Sequence, residues 1–155
     1  LHVRSRRQRQ MCIRDRCITS NNENIRRAIL LSLKYCVEYD SDYSRREKLL
    51  SYMDLFLFDT STYVKKSFDS FTIGDGFLNV CPELVEIKFD YWCTLNNERV
   101  ACSVIRAFKS SGGVKSWPLA KKYLDYYRSA NSSSIQKALT ATSNYLKKRI
   151  NLEDY

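Results

Sequence analysis

Three sets of residues in this chain could do chemistry: paired cations, recurring aspartates and scattered thiols. Arg26-Arg27 and Lys65-Lys66 stand in matching places, and Lys137 occupies a third such place. Adjacent guanidinium and ammonium groups suit phosphate, through charge and through donated hydrogen bonds. Asp54, Asp90 and Asp125 each precede an aromatic by two positions (Phe56, Trp92, Tyr127). A carboxylate among aromatics can stabilise developing positive charge. Recurrence in every unit argues instead for a structural task, a hydrogen bond at the junction between units. Trp92, Trp117, Phe56 and Tyr127 are expected to pack rather than to stack on bases. The thiols Cys17, Cys36, Cys81, Cys93 and Cys102 include no Cys-x-x-Cys pair, and the single histidine is His2. No metal site, disulfide scaffold or cofactor is expected, and the thiols read as those of a protein in the reducing cytoplasm.

The elements that position these residues emerge from a repeat. "NNENIRRAIL" (21–30), "TSTYVKKSFD" (60–69), "NNERVACSVI" (96–105) and "NSSSIQKALT" (131–140) align on Ile25, Val64, Val100 and Ile135, at intervals of 39, 36 and 35 residues. Four residues before each anchor stands Asn21, Thr60, Asn96 or Asn131, expected to cap a helix by accepting from its free N–H groups. Each aspartate lies ten residues before its anchor. The unit is therefore a helix A carrying Asp-x-aromatic, a turn, and a helix B. "SRRE" (44–47) reads as a capping box, and Pro82 and Pro118 fall in helical first turns. Ile25, Ile29, Leu33 and Cys36 or Val37 recur at helical spacing, and Gly74, Gly76, Gly112 and Gly113 are expected between repeats. "VEIKFDY" (85–91) alternates like a strand, but the repeat register assigns it to a helix. Helix pairs recurring every 35–39 residues predict an all-α fold, an α-solenoid of HEAT-like pairs whose units bury their apolar faces on one another.

The first residues do not share this logic. Residues 1–16 hold six arginines against Asp15, which is +5 of the formal +9. The remainder carries twenty basic against sixteen acidic residues, only +4. An Arg-rich start reads as a transit peptide or a phosphate-binding arm. A third reading fits better: residues 6–15 resemble the translation of a transposon-type sequencing adapter (CGT CGG CAG CGT CAG ATG TGT ATA AGA GAC). Residues 1–16 are then expected to be adapter-derived, unstructured or loosely helical, and to make few contacts with residues 40–155. The native domain is then expected to be residues 17–155, beginning in mid-gene. No apolar run reaches the length of a membrane span.

Asn24-Ile25-Arg26-Arg27-Ala28, Tyr63-Val64-Lys65-Lys66-Ser67 and Pro82-Glu83-Leu84-Val85 resemble, in order and spacing, the HEAT-like DNA alkylation-repair glycosylases. The resemblance covers about residues 20–140. It implies a DNA-binding protein that excises cationic N-alkylated purines from duplex DNA by hydrolysing the N-glycosidic bond. A carboxylate among aromatics would support the oxocarbenium-like transition state, and basic residues would hold the phosphates. In that family the catalytic carboxylate lies about one repeat before the Arg-Arg helix, a region absent here. The tryptophan and Arg-Glu usual after the Lys-Lys pair are replaced by "DSFTIGDG" (69–76), about two residues longer than expected. The chain itself is expected to be inactive.

Stacked repeats would line Arg26, Arg27, Lys65, Lys66 and Lys137 into a ridge for DNA phosphates, beside helix N-termini that already favour anions. Ala101-Cys102 interrupts that ridge in the third unit, and a solvated face is the competing expectation. The alternative function is a non-enzymatic HEAT-repeat scaffold that binds a protein or peptide in its concave groove.

Overall fold

The computed structural model describes residues 17–150, so the expectations for residues 1–16 lie outside the described residues. Every regular element among the described residues is helical. Helix α1 (Glu23–Tyr39) is followed by α2 (Tyr43–Ser51), which runs into a 3₁₀ turn at Tyr52–Leu55. Helix α3 (Thr62–Lys66) continues without a break into a π-helical segment, Ser67–Leu78. Then come α4 (Pro82–Thr94), α5 (Glu98–Ala107), the short α6 (Ser111–Lys115), α7 (Trp117–Tyr127) and α8 (Ser133–Lys147). The alternating stretch 85–91 is helical. Val85 and Phe89, one turn apart, are buried, whereas Ile87 and Tyr91 point outward.

The helix caps fall one residue later than the sequence suggests. Asn22, Ser61, Asn97 and Ser132 are the capping residues, not Asn21, Thr60, Asn96 and Asn131. Their side-chain oxygens accept from the N–H groups of Asn24, Val64, Arg99 and Ile135, two or three residues on. That is the reach an N-cap oxygen has. The displacement is the same in all four units, so the repeat register survives it. Asp42, not Ser44, caps α2, accepting from the Arg45 N–H at 2.9 Å. Pro82 and Pro118 do sit in first turns.

Packing joins α1 to the π-helical segment, that segment to α5, and α5 to α8. On the other side α2 meets α4, and α4 is tied to α7 through Asp90 and Tyr123. Between the two rows Phe89 stacks edge-on with Phe108 and Tyr123, at 5.6 and 5.4 Å between ring centres, and lies 5.6 Å from Trp92. On α1 the inward stripe is Leu30, Leu33 and Val37; the anchor Ile25 is 40% exposed and Cys36 is exposed.

The glycines lie inside helical segments, although Gly112 and Gly113 do fall between the third and fourth units. Gly74 and Gly76 are inside the π-helical segment, and Gly112 and Gly113 inside α6. A Cβ on Gly112 would stand 2.2 Å from the carbonyl oxygen of Gly74, and one on Gly74 would stand 2.4 Å from that of Ala107. Backbone touches backbone there, which explains the residue type. The wider turn of a π-helix also absorbs extra residues without breaking the helix, as the longer "DSFTIGDG" stretch requires.

Candidate functional site

A groove of about 730 Å³ opens along the row formed by α3 with its π-helical extension, α5 and α8. Five cations line it (Lys65, Lys66, Arg99, Arg106, Lys109), with three carboxylates among them: Asp59, Asp69 and Glu98. Lys66, Arg99, Arg106 and Lys109 are exposed. The excess of positive charge lies on the open side of the groove.

The five cations singled out by the repeat are not brought together. Arg26 is consumed by Asp59: Nε donates to Oδ2 at 2.7 Å and Nη2 to Oδ1 at 3.1 Å, while Nη1 donates to the Ser20 carbonyl. Such a forked pair leaves few donors for a phosphate. Burial raises the Asp59 pKa, but the hydrogen bonds from Arg26 and the Ser61 N–H outweigh it and hold the carboxyl below its ordinary range. Arg27 donates to Ser67 Oγ at 3.0 Å and covers the Tyr63 ring at 4.5 Å. Lys137 is exposed on α8 and is not part of the groove lining. Only Lys65 and Lys66 reach the groove.

Lys65 turns inward. Its Nζ donates to Ser103 Oγ at 2.6 Å and to the Leu57 carbonyl at 3.2 Å, and lies 3.8 Å from Asp69 Oδ1. Burial pulls the ammonium pKa down, with Asp69 opposing. Ala101 and Cys102, which replace the cation pair in the third unit, are buried. The Lys65 side chain therefore bridges to α5 where the ridge was expected to continue.

Asp69 is the unusual member. It is 5% exposed, and its Oδ1 accepts no hydrogen bond. Its cationic neighbours stand off, Lys65 at 3.8 Å and Arg106 Nη1 at 3.9 Å. Burial raises its pKa; Lys65, Ser103 and Arg106 offset only part of that. Across the groove on α8, Thr142 is fully buried and its Oγ1 likewise has no partner. Buried polar groups are nearly always satisfied; of the four such atoms without a hydrogen bond among the described residues, these two line the groove, and Arg46 Nε and Asn79 Oδ1 do not.

The repeat register missed Asp69, Arg99, Arg106, Lys109 and Thr142. The Lys65–Asp69 spacing of four was the one available signal, and it reads equally as an ordinary helical ion pair. Among the described residues no cluster of three or more His, Cys, Asp or Glu side chains could hold a metal ion. None of the helices there is long and apolar enough to cross a membrane. No protein-family model, characterised protein or solved structure matches the chain.

Proposed function

We propose that the chain is a HEAT-like α-solenoid of the DNA alkylation-repair class that binds duplex DNA through its phosphates, along the groove between α3, α5 and α8. Excision of cationic N-alkylated purines is the reaction of the class it resembles; the role proposed for this chain is the binding. The observation that carries the reading is the set of four exposed cations, Lys66, Arg99, Arg106 and Lys109, among the residues that line the groove. Consecutive helix pairs spaced 35–39 residues apart, each B helix packed on the next, support the solenoid assignment.

Four neutralised phosphates should give a slope of about −3.6 in log K against log salt. The test is duplex-DNA binding across a salt series, with Arg4, Arg6, Arg7, Arg9, Arg14 and Arg16 all replaced by Ser to remove the charges outside the described residues. Replacing Lys66, Arg99, Arg106 and Lys109 by Ser should flatten the slope. Undetectable DNA binding at low salt, or an unchanged slope in the quadruple variant, would overturn the proposal.

One observation favours the second reading, a scaffold for a protein or peptide. Asp59, Asp69 and Glu98 stand among the groove cations, and a lining of both signs suits a peptide carrying both signs. Such a scaffold would bind DNA weakly and with little dependence on salt.

A further inference from the structure

We infer that the groove floor accepts one unpaired nucleotide whose base presents an exocyclic amino group, with Asp69 Oδ1 as the acceptor. This inference rests on the nucleic-acid reading above and adds a preference among bases to it.

The argument starts from what the floor lacks. Asp69 Oδ1 is buried without a well-formed hydrogen bond, Lys65 Nζ standing 3.8 Å away, and Thr142 Oγ1, which can both donate and accept, is buried with no hydrogen-bond partner on α8. Leaving a buried polar atom without a hydrogen bond is costly, so a ligand that supplies a closer donor recovers that cost on binding. A phosphate cannot do so, because the carboxylate repels it. The ligand that fits is anionic at the rim, where Lys66, Arg99 and Lys109 stand exposed, and a hydrogen-bond donor at the floor. A nucleotide has this polarity. The volume of about 730 Å³ falls in the range of roughly 300–1,000 Å³ typical of small-ligand pockets.

The carboxylate also selects among bases. Asp and Glu accept from the N4 amino group of cytosine. Thymine presents its one N–H between two carbonyl oxygens, and a carboxylate approaching that edge meets like partial charge on both sides. In a duplex the amino group is already paired, so the floor site selects a base that is out of the stack or in a single strand. Arg106 Nη1 lies 3.9 Å from Asp69 Oδ2 and Lys65 Nζ 3.8 Å from Oδ1, both beyond hydrogen-bond reach, so an amino group at hydrogen-bond distance would be the nearer partner of Oδ1.

The experiment compares dye-labelled (dC)8 and (dT)8 by fluorescence anisotropy on the full chain, at one low salt concentration and pH 8. One carboxylate–amino contact discriminates less than a bidentate pair, so (dC)8 should bind about fivefold more tightly. Asp69→Ala and Thr142→Val together should bring the two affinities to within about twofold of each other, while binding to (dT)8 persists through the phosphates. Equal affinities in the unaltered chain would overturn the base preference and leave the phosphate reading standing. Failure of both oligonucleotides, together with failure of duplex DNA, would overturn both. A preference for (dC)8 that survives Asp69→Ala and Thr142→Val would overturn the assignment to this floor.

Discussion

The indole Nε1 of Trp92 donates to Asp54 Oδ1 at 2.7 Å, thirty-eight residues back along the chain. One unit further on, the Tyr123 hydroxyl lies 2.6 Å from Asp90 Oδ1 and 3.0 Å from the Glu86 carbonyl. Its single proton belongs with the carboxylate, the closer and charged acceptor. Lysines complete both junctions: Lys88 Nζ lies 2.8 Å from Asp54 and Lys122 Nζ 3.1 Å from Asp90. The aspartate of one unit is thus held by an aromatic donor and a cation from the next. Asp125 departs from this pattern and pairs with Arg128 on its own turn at 2.6 Å.

From this geometry the aromatic donor, more than the charge, sets the strength of the first junction. Trp92 is buried and Asp54 is 40% exposed at its side chain, so water screens the Lys88 pair. Trp92→Phe should cost about 2 kcal/mol, from the lost hydrogen bond and the smaller ring. Asp54→Asn keeps an oxygen for the indole and should cost less than about 1 kcal/mol. Urea unfolding midpoints at unchanged slope measure both. Equal losses would show that the ion pair, not the indole, holds the junction.

Gly112 and Gly76 should respond to alanine in opposite ways. The Gly112→Ala methyl would meet the Gly74 carbonyl at 2.2 Å and the Asn79 N at 2.8 Å. Neither is a side chain that can rotate away. Overpacking of this kind costs about 3 kcal/mol. At Gly76 the nearest atom is Lys34 Cγ at 3.0 Å, part of a flexible side chain, and the Gly76 φ is not positive. Gly76→Ala should change stability by less than about 1 kcal/mol, since the entropy lost by glycine on folding offsets the contact. Thermal unfolding of the two variants checks the contrast.

The helices were legible because their signals are local. The 35–39-residue register predicts every B helix, and it outweighs the strand-like alternation at 85–91, where only Val85 and Phe89 turn inward. The exact caps were less legible, because Asn21-Asn22, Thr60-Ser61, Asn96-Asn97 and Asn131-Ser132 each offer two competent oxygens. The π-helical segment was illegible: no local pattern separates it from the connection between repeats in which Gly74 and Gly76 were expected. The site was hardest to read. Cations at equivalent repeat positions met different partners, Asp59 for Arg26 and Ser103 for Lys65. Arg99, Arg106 and Lys109 share no repeat position with them, and only packing brings all of these together or apart.

Thiol accessibility should follow burial closely. Cys36 is exposed on α1, whereas Cys81 and Cys102 are buried. Burial pushes the Cys81 thiol up to about 11, with Glu83 adding to the effect, so little reactive thiolate forms at neutral pH. Under iodoacetamide at pH 8, peptide mapping should find, among the described thiols, Cys36 alkylated first and Cys81 and Cys102 last. Early alkylation of Cys81 would show that the α4 N-terminus opens readily.

The Arg26–Asp59 pair should give stability with a defined acid limb. The Asp59 carboxyl is held below its ordinary value of 3.8, so the folded chain releases this proton more readily than the unfolded chain. The increment is complete above the unfolded pKa and is lost as pH falls through the lower folded one. Both side chains are largely buried, at 16% and 6% exposure. Removing the carboxylate should therefore cost about 2 kcal/mol near pH 7, toward the level of a hydrogen bond to a charged group. Asp69 slopes the other way: burial raises its pKa, so its ionisation weakens the fold as pH rises. That contribution cancels when Asp59→Asn is compared with the unaltered chain at each pH. The difference in unfolding free energy should stay constant from pH 7 to about 5 and shrink toward zero below about pH 4, once Asp59 itself is protonated. A difference that holds undiminished at pH 2 would show that the forked geometry stabilises the fold without the charge.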